Sequence, residues 1–298
     1  MITGIGGVGG YIASVLCANY PTVTLIARKK RKEALQKNGL VLHSDFFGEH
    51  VFHPFVTDTP ATAGIQDIIF VCVKNYSLAD ALEALRPCVD KHTIIVLVLN
   101  GVDHLKTAQL IFSTGRFVDT CIYITSAYKD DFSIRQYGNF ARMYLGSSDK
   151  KAAQTAYEVL HHDGLTTLKT DQITKEIWNK YILNCAYNVI TAYYECTVED
   201  ALNKPTGKQE FRQLMEEAYT VGKALGVPLD DTIVDTLYNR ILRQKSNNVY
   251  SSLARDVIYG HQSELETFSG YLVRTAKELH LAIPLSQQCY QALSNRIK

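Results

Sequence analysis

A lysine and two asparagines follow one another at intervals of four residues in the second half of the chain. Lys180, Asn184 and Asn188 therefore fall along one stripe of a helix, since each residue advances the helix by about 100°. Apolar neighbours such as Ile182 and Val189 indicate that much of this helix is buried. Most helical lysines extend to solvent, whereas a desolvated lysine is suited to proton transfer. Because the two amides share its stripe, we predict that Lys180 belongs to a polar site.

The chain opens with a glycine-rich turn that could bind phosphate groups. Gly4, Gly6 and Gly9 match the pattern G-x-G-x-x-G, and a helix-like segment follows at once. The first glycine allows a tight turn, the second lets the backbone approach a pyrophosphate, and the third permits close helix–strand packing. The other predicted cofactor-binding residues of this turn are Ile5, Gly7 and Val8. Only three residues precede Gly4, so either the first strand is very short or the natural chain begins upstream.

A basic segment follows the second predicted strand, where the ribose of a dinucleotide would lie. NAD sites usually place Asp or Glu there, about 20 residues after the glycine turn. The strand Val23–Ala27 is instead followed by Arg28 and by Lys29. We predict that the Arg28 guanidinium binds the 2′-phosphate of NADP, while residues 30–32 form a solvated start of a helix. The expected cofactor is NADPH.

Two further strands end in polar residues. Lys74 follows the apolar strand 67–73, and Asn100 follows the strand 93–99. Ligands of open α/β sheets bind outside the carboxyl ends of the strands. Lys74 could therefore neutralise a phosphate or a carboxylate, and Asn100 could orient the nicotinamide or the substrate, although both are also ordinary turn residues.

The elements that must position these residues change type along the chain. Strand-like and helix-like segments alternate in the first half, which indicates βαβ units and a parallel sheet. Shorter strand-like pieces follow at 117–124, 133–137 and 141–145. From about residue 172 the periodicity is nearly all helical. We predict an α/β domain over residues 1–168 and an all-α domain over residues 169–298.

Composition and charge exclude several classes of protein. The chain has 298 residues, 46% of them hydrophobic and 20% charged, which suits folded domains with a sizeable core. The formal net charge of +1 argues against broad nucleic-acid binding. The longest apolar runs are far shorter than the roughly 20 residues that span a bilayer, and no signal peptide is apparent. We expect neither a nucleic-acid partner nor a membrane segment.

The cysteines and histidines do not predict a metal site. The seven cysteines are scattered and never spaced C-x-x-C, which is typical of buried thiols in a reducing compartment. His161 and His162 form the only adjacent histidine pair, and no cysteine is near them. We therefore expect a cytoplasmic protein without a metal ion. The helical half could also supply an apolar face for a homodimer.

Taken together, these motifs resemble the ketopantoate reductase (2-dehydropantoate 2-reductase) family over nearly the whole chain. The matching segments are Gly4–Gly10, Val73-Lys74, Asn100-Gly101, Trp178–Lys180 with Asn184, Ser251–Leu253 with Asp256, and Glu264. The resemblance implies a Rossmann-like N-terminal domain and a helical C-terminal domain like that of 6-phosphogluconate dehydrogenase, with the active site in the cleft between them. It also implies reduction of a 2-keto acid, ketopantoate, to pantoate by NADPH, on the route to pantothenate.

The resemblance also assigns roles to individual residues. Lys180 would be the general acid that protonates the ketone oxygen, and Glu264 would bind hydroxyl groups and support the lysine. Asn184 and Ser252 would hold the substrate, beside Asn188 on the same helical stripe. Asn100 and Lys74 would line the cofactor side.

The chain departs from the usual family pattern at substrate-side positions. Leu99, Val249 and Ser269 stand where family members commonly carry Gln, Asn and Asn, and two asparagines, Asn247 and Asn248, lie just upstream of Val249. Two alternatives therefore stay open, a paralogous reductase of another 2-keto acid and a non-catalytic NADP-binding sensor. A sensor would need none of the catalytic residues, which favours an enzyme.

Overall fold

The structure, a computed structural model, describes residues 1–113, 115–244 and 249–296. Asn247 and Asn248 thus lie outside the described residues. The chain divides into two compact units, Met1–Ile173 and Thr174–Lys298. The first combines helices with a large sheet, and the second is helical. An α/β unit followed by an all-α unit is the predicted order.

One mixed sheet organises the described part of the first unit. Along the sheet the strand order is β4-β3-β9-β8-β7-β6-β1-β2-β5, with β10 paired to β9. The strands in chain order are β1 (Ile2–Thr3), β2 (Thr24–Ile26), β3 (Leu40–Ser44), β4 (Gly48–Phe52), β5 (Phe55–Thr57), β6 (Ile68–Val71), β7 (Ile94–Leu97), β8 (Arg116–Tyr128), β9 (Ile134–Gly146) and β10 (Thr166–Lys169). The very short β1 lies between β2 and β6 and is parallel to both.

Helices cover this sheet on its faces. They are α1 (Gly7–Asn19), α2 (Lys29–Asn38), α3 (Leu78–Leu85), α4 (His104–Ile111) and α5 (Lys150–Leu160). The core on one face includes the fully buried Tyr11, Ile12 and Leu42, and a second cluster on the strands β6 and β7 includes Ile69 and Leu97. Burial of these side chains stabilises the sheet and holds the strand ends in place.

Two features of the sheet differ from the sequence-based expectation. Its strands are not all parallel, because β3 pairs antiparallel with β4 and β8 pairs antiparallel with β9. The predicted short pieces after residue 116 are in fact the two long strands β8 and β9, interrupted by a register shift between Tyr123 and Thr125. Local periodicity missed the continuity of β9 because residues 137–140 are exposed and include Gly138, whose φ is +81°.

The second unit is helical, and its longest described helix is α6 (Ile173–Tyr194). The others are α7 (Val198–Leu202), α8 (Gly207–Ala224), α9 (Ile233–Leu242), α10 (Ser252–Ile258), α11 (Tyr271–Glu278) and α12 (Pro284–Arg296). A π-helical turn, Glu266–Gly270, directly precedes α11. Eleven residues of α6 are buried, which is consistent with its apolar flanks. Among the described residues, no helix is both long and apolar enough to cross a membrane.

Candidate active site

The glycine-rich turn joins β1 to α1 and is closely packed on one side. Gly4 has a φ of +83°, and a Cβ atom there would lie 2.5 Å from the backbone of Cys72 and Val73. A Cβ on Gly9 would lie 2.1 Å from the carbonyl oxygen of Gly4. At both positions the backbone therefore excludes any side chain, as predicted for the first and third glycines of the motif.

The second glycine of the motif differs from the other two. Apart from its chain neighbours, no atom of the described residues lies within 4 Å of a Cβ placed on Gly6, and the φ of −90° is open to any residue. Neither packing nor backbone conformation requires glycine here, so the bare backbone leaves space beside the start of α1. The first turn of α1 carries no acidic residue, and its N–H groups favour an anion. This space and the free helix start fit the pyrophosphate of a dinucleotide.

Arg28 lies where the sequence predicts it, directly before α2 and beyond the end of β2. It is exposed, and it is the N-cap residue of α2, which begins at Lys29. Lys29 follows with a φ of +53°, and Lys32 pairs with Asp58 at 2.9 Å. An exposed guanidinium at the end of β2 is suited to a phosphate on the adenosine ribose.

Arg31 contradicts the expectation that residues 30–32 are a solvated helix start. Its Nη1 donates to the Phe132 carbonyl at 2.8 Å, and its guanidinium lies 5.3 Å from the Tyr128 ring centre and 5.5 Å from that of Phe132. Burial lowers the pKa of Arg31 to about 10. The prediction was wrong for Arg31 because the turn between β8 and β9 covers this side chain, a contact between segments about a hundred residues apart, whereas Lys30 is exposed.

Lys74 and Asn100 stand at the carboxyl ends of two neighbouring parallel strands. Lys74 is exposed three residues after β6, and Asn100 is half-buried three residues after β7. The loops that carry them are joined by a hydrogen bond from Asn75 Nδ2 to Asp103 Oδ1 at 3.3 Å. Since β1, β2, β6 and β7 are parallel neighbours, all predicted cofactor-side residues lie at one edge of the sheet.

The predicted polar stripe lies on α6. Lys180 and Asn184 are half-buried, and Asn188 is buried. The Ser252 hydroxyl at the start of α10 donates to Asn188 Oδ1 at 3.3 Å. Ser252 is therefore brought to this stripe although 64 residues separate it from Asn188 in the chain.

The residue before Ser252 fixes the start of α10. Ser251 Oγ accepts a hydrogen bond from the Ala254 N–H at 3.0 Å, which caps the helix. The same oxygen accepts a hydrogen bond from Thr191 Oγ1 of α6 at 2.7 Å. The Ser-Ser pair thus divides its roles, since Ser251 is a structural cap and Ser252 faces the polar stripe.

Glu264 is buried, with 4% of its surface exposed. The sequence predicts Ser263 as a helix cap with Glu264 in or near the first turn. The helical segment begins at Leu265, directly after Glu264, and the Leu265 N–H donates to Ser263 Oγ at 3.4 Å. The carbonyl of Glu264 accepts hydrogen bonds from the N–H groups of Thr267 and Phe268 at 3.0 and 3.2 Å. A turn of hydrogen bonds thus ties Glu264 to the π-helical turn that follows it.

Two residues that sequence reasoning did not select join α6 to this turn. Tyr181 is 1% exposed, and its hydroxyl donates to the carbonyls of Thr267 and Phe268. Cys185 Sγ donates to the same Phe268 carbonyl at 3.2 Å. Apolar periodicity marks both as core residues, and no local signal in the sequence indicates their hydrogen bonds. Within the described ranges, no group of three or more His, Cys, Asp or Glu residues is arranged to hold a metal ion.

Comparison with known proteins assigns the chain to a family. The model of the ketopantoate reductase PanE/ApbA family matches residues 1–150, and that of the ketopantoate reductase PanE/ApbA C-terminal domain matches residues 172–296. The chain is 29% identical to an uncharacterized oxidoreductase, YkpB, of Bacillus subtilis, a similarity that covers 98% of this chain and 97% of that protein.

Solved structures share the fold at lower identity. A PanE/ApbA family ketopantoate reductase from Ralstonia eutropha JMP134 is 23% identical, with a TM-score of 0.91 over 100% of this chain and 98% of that one. A D-mandelate dehydrogenase in a ternary structure with NADH and anilino(oxo)acetate is 17% identical, with a TM-score of 0.89 and the same coverage. The predicted fold class is therefore confirmed, and the chain belongs to the ketopantoate reductase PanE/ApbA family of oxidoreductases.

Proposed function

We propose that the protein reduces 2-dehydropantoate (ketopantoate) to pantoate with NADPH, a step on the route to pantothenate. The observation that carries this proposal is the hydrogen bond between Ser252 and Asn188 at 3.3 Å. It brings the Ser-Ser segment onto the helix stripe that bears Lys180 and Asn184. A proton donor, amides and a hydroxyl group suit a keto acid that carries a further hydroxyl group.

Lys180 would act as the general acid. Its ammonium would donate a hydrogen bond to the ketone oxygen and stabilise the negative charge that develops there. The reduced nicotinamide, when bound, supplies a hydride to C2 of the keto acid. Lys180 would give one proton to the oxygen, so the ketone becomes a secondary alcohol, and the neutral amine would regain a proton from solvent.

The other residues of the helical unit would bind and orient the substrate. Asn184 and Ser252 can donate hydrogen bonds to the carboxylate or the hydroxyl of a 2-keto acid, beside Asn188. Glu264, as a buried carboxylate, would accept a hydrogen bond from a substrate hydroxyl. It would also favour the protonated form of the Lys180 amine. These roles follow the family resemblance, and the burial of Asn188 and Glu264 supports them.

The cofactor side supports NADPH over NADH. Arg28 is exposed beyond β2, and the residues from Ala27 to Lys32 include no carboxylate to bind a ribose 2′-hydroxyl. Gly6 leaves space for the pyrophosphate, while Lys74 and Asn100 stand at the same edge of the sheet. The guanidinium can bind the 2′-phosphate bidentately, which a ribose hydroxyl cannot match.

A second candidate is the reduction of another 2-keto acid. D-Mandelate dehydrogenase shares the fold over the whole chain. The substitutions at Leu99, Val249 and Ser269 remove amides that the family commonly carries, and they are compatible with a less polar substrate. The keto acid that corresponds to mandelate, benzoylformate, therefore belongs in the test.

The decisive experiment follows NADPH oxidation at 340 nm with 2-dehydropantoate, 2-ketoisovalerate, benzoylformate and no keto acid, each repeated with NADH. We expect kcat/KM to be at least about tenfold higher with 2-dehydropantoate and NADPH than with any other pair, the effect of losing one hydrogen bond. Preference for another keto acid would select the paralogous reductase. Cofactor binding without turnover of any keto acid would select the sensor.

We further propose that the protein is cytoplasmic. All seven cysteines are free thiols, as expected for a protein of the reducing cytoplasm. We also propose a homodimer, which light scattering of the purified protein would test directly. A monomer at micromolar concentration would contradict the dimer and leave the reductase proposal intact.

A further inference from the structure

Two adjacent stripes run along α6, and they contact different parts of the helical unit. Lys180 and Asn184 belong to the polar stripe, whereas Tyr181 and Cys185 each follow one of them by a single residue. One residue corresponds to about 100° around the helix, so Tyr181 and Cys185 form their own stripe. Both of these residues donate hydrogen bonds to the π-helical turn Glu266–Gly270.

The π-helical turn sets the direction of Glu264 around the axis of α11. A π turn contains one residue more than the α-helical turn that it replaces, which rotates the residues before it by about 100° relative to the helix after it. Here α11 is anchored by buried residues such as Leu272 and Ala276, while Glu264 precedes the turn. If the turn relaxed to α-helical hydrogen bonding, Glu264 would point in a different direction.

Tyr181 donates hydrogen bonds to two backbone carbonyls of this turn. Its hydroxyl lies 3.0 Å from the carbonyl oxygen of Thr267 and 3.2 Å from that of Phe268. The ring is fully buried and packs edge-on against Trp178 at 5.3 Å and Tyr271 at 6.1 Å, so the hydroxyl has a fixed position. The N–H groups of the same Thr267 and Phe268 donate to the Glu264 carbonyl, which completes a chain of hydrogen bonds from Tyr181 to Glu264.

We propose that Tyr181 is a positioning residue: its hydroxyl holds the π turn and thereby fixes Glu264 relative to Lys180. This inference rests on the proposed roles of Lys180 and Glu264. Since the direction of a carboxylate sets its influence on a neighbouring ammonium, loss of the hydroxyl changes the titration of Lys180 as well as the rate.

The test compares Tyr181→Phe with Tyr194→Phe, which removes another hydroxyl from the same helix. Tyr194 donates to Glu210 at 2.7 Å and contacts neither the π turn nor the polar stripe through that bond. Two measurements need no substrate. They are amide hydrogen exchange of the segment 265–272 and the pKa of Lys180 from the pH dependence of its trace acetylation, both followed by mass spectrometry.

We expect faster exchange in the segment 265–272 and a shift in the pKa of Lys180 for Tyr181→Phe, with neither change for Tyr194→Phe. With an active keto acid, kcat should fall about tenfold while KM for NADPH stays within about twofold, because only the geometry around the acid has changed. Unchanged exchange, or faster exchange with an unchanged pKa of Lys180, would overturn the proposal.

The design separates this inference from the proposed function. If the wild-type protein reduces no keto acid, the proposed function fails, whereas exchange and acetylation still decide the role of Tyr181. Should Tyr181→Phe not fold, Tyr181→Met replaces it, since methionine also lacks the hydroxyl and adapts to irregular apolar space. The same changes in exchange and in the pKa of Lys180 are then expected, and their absence would again overturn the proposal.

Discussion

The Cβ position of Gly9 lies 2.1 Å from the carbonyl oxygen of Gly4, so the first and third glycines of the motif pack directly against each other. Gly6 lies between them, and within the part of the chain that the structure describes only its chain neighbours come within 4 Å of its Cβ position. Within one turn, therefore, Gly4 and Gly9 are required by the fold, whereas the space at Gly6 is open to a ligand. If Gly6 contacts the cofactor as we propose, this difference separates the requirements of stability from those of cofactor binding.

Substitutions in the turn should show that separation. We expect Gly6→Ala to leave the melting temperature within about 2 °C and to weaken NADPH binding at least about tenfold, because the new methyl group occupies the space for the phosphates. Gly9→Ala should lower both stability and binding, since its methyl group meets backbone. Thermal denaturation and fluorescence titration measure the two effects. Equal losses of stability in both variants would contradict this reading of the turn.

Removal of the proposed acid should affect catalysis alone. We expect Lys180→Ala to lower kcat by about two to four powers of ten, the usual scale for lost general acid catalysis. Lys175→Ala is the matched control on the same helix, because Lys175 pairs with Asp230 at 2.9 Å and carries no proposed role in the reaction. Steady-state kinetics at saturating substrate measures kcat for both variants. A loss of less than about threefold for Lys180→Ala would remove its assignment as the acid.

The choice between NADPH and NADH should depend on Arg28. We expect Arg28→Ala to raise the Kd of NADPH by about 10–100-fold, the effect of losing charge-assisted hydrogen bonds, and to change the Kd of NADH by less than about threefold. Lys30→Ala, a charge change at an exposed position of the same helix start, is the control. An equal loss for both nucleotides would show that Arg28 does not recognise the 2′-phosphate.

A buried carboxylate in the helical unit should contribute to stability without any part in catalysis. Glu217 accepts hydrogen bonds from the N–H groups of Leu285 and Ser286 at 3.0 and 2.7 Å, and it thereby caps the start of α12. We expect Glu217→Gln to lower the free energy of unfolding by about 1–3 kcal/mol, because a buried N–H then loses its acceptor. Urea denaturation measures the loss. The exposed neighbour Glu216 pairs with Arg212, so Glu216→Gln should cost less than about 1 kcal/mol.

The loss of folding stability at acid pH should be due in part to Asp149. The hydrogen bond from Arg116 lowers the pKa of Asp149 from 3.8 to about 2, helped by the N–H of Ala152 at the start of α5. Because the pKa is lower in the folded state, this contribution is present above pH 3.8 and is lost as the pH falls toward 2. Both side chains are partly exposed, so solvent screening limits it to about 1 kcal/mol.

Asp149→Asn tests that contribution, since asparagine keeps the capping oxygen and removes the charge. We expect the free energy of unfolding to depend less steeply on pH between about 4 and 2 than in the wild-type protein, with denaturant titrations at each pH as the measurement. If the free energy of unfolding depends on pH with the same slope in both proteins, Asp149 does not contribute to the loss of stability at acid pH.

Sequence alone determined the order of the two units, the glycine turn, the basic residue after β2 and the polar stripe of α6. The order of the two units follows from the periodicity of each half of the chain. The other three depend on spacing over fewer than ten residues, such as i, i+4 on a helix or the end of a strand, and such spacing survives in any fold that keeps the element. The empty space at Gly6 could likewise be expected, because the motif itself assigns a role to its second glycine.

Only the tertiary structure decided which distant residues meet. The burial of Arg31 under Phe132, the bond from Ser252 to Asn188 and the bonds from Tyr181 to the π turn join segments 64 to 101 residues apart. No periodicity within one element encodes these contacts, because they depend on how whole helices and strands pack. Tyr181 is the clearest example: its sequence context predicts a core aromatic residue, and only the packed structure shows what its hydroxyl holds.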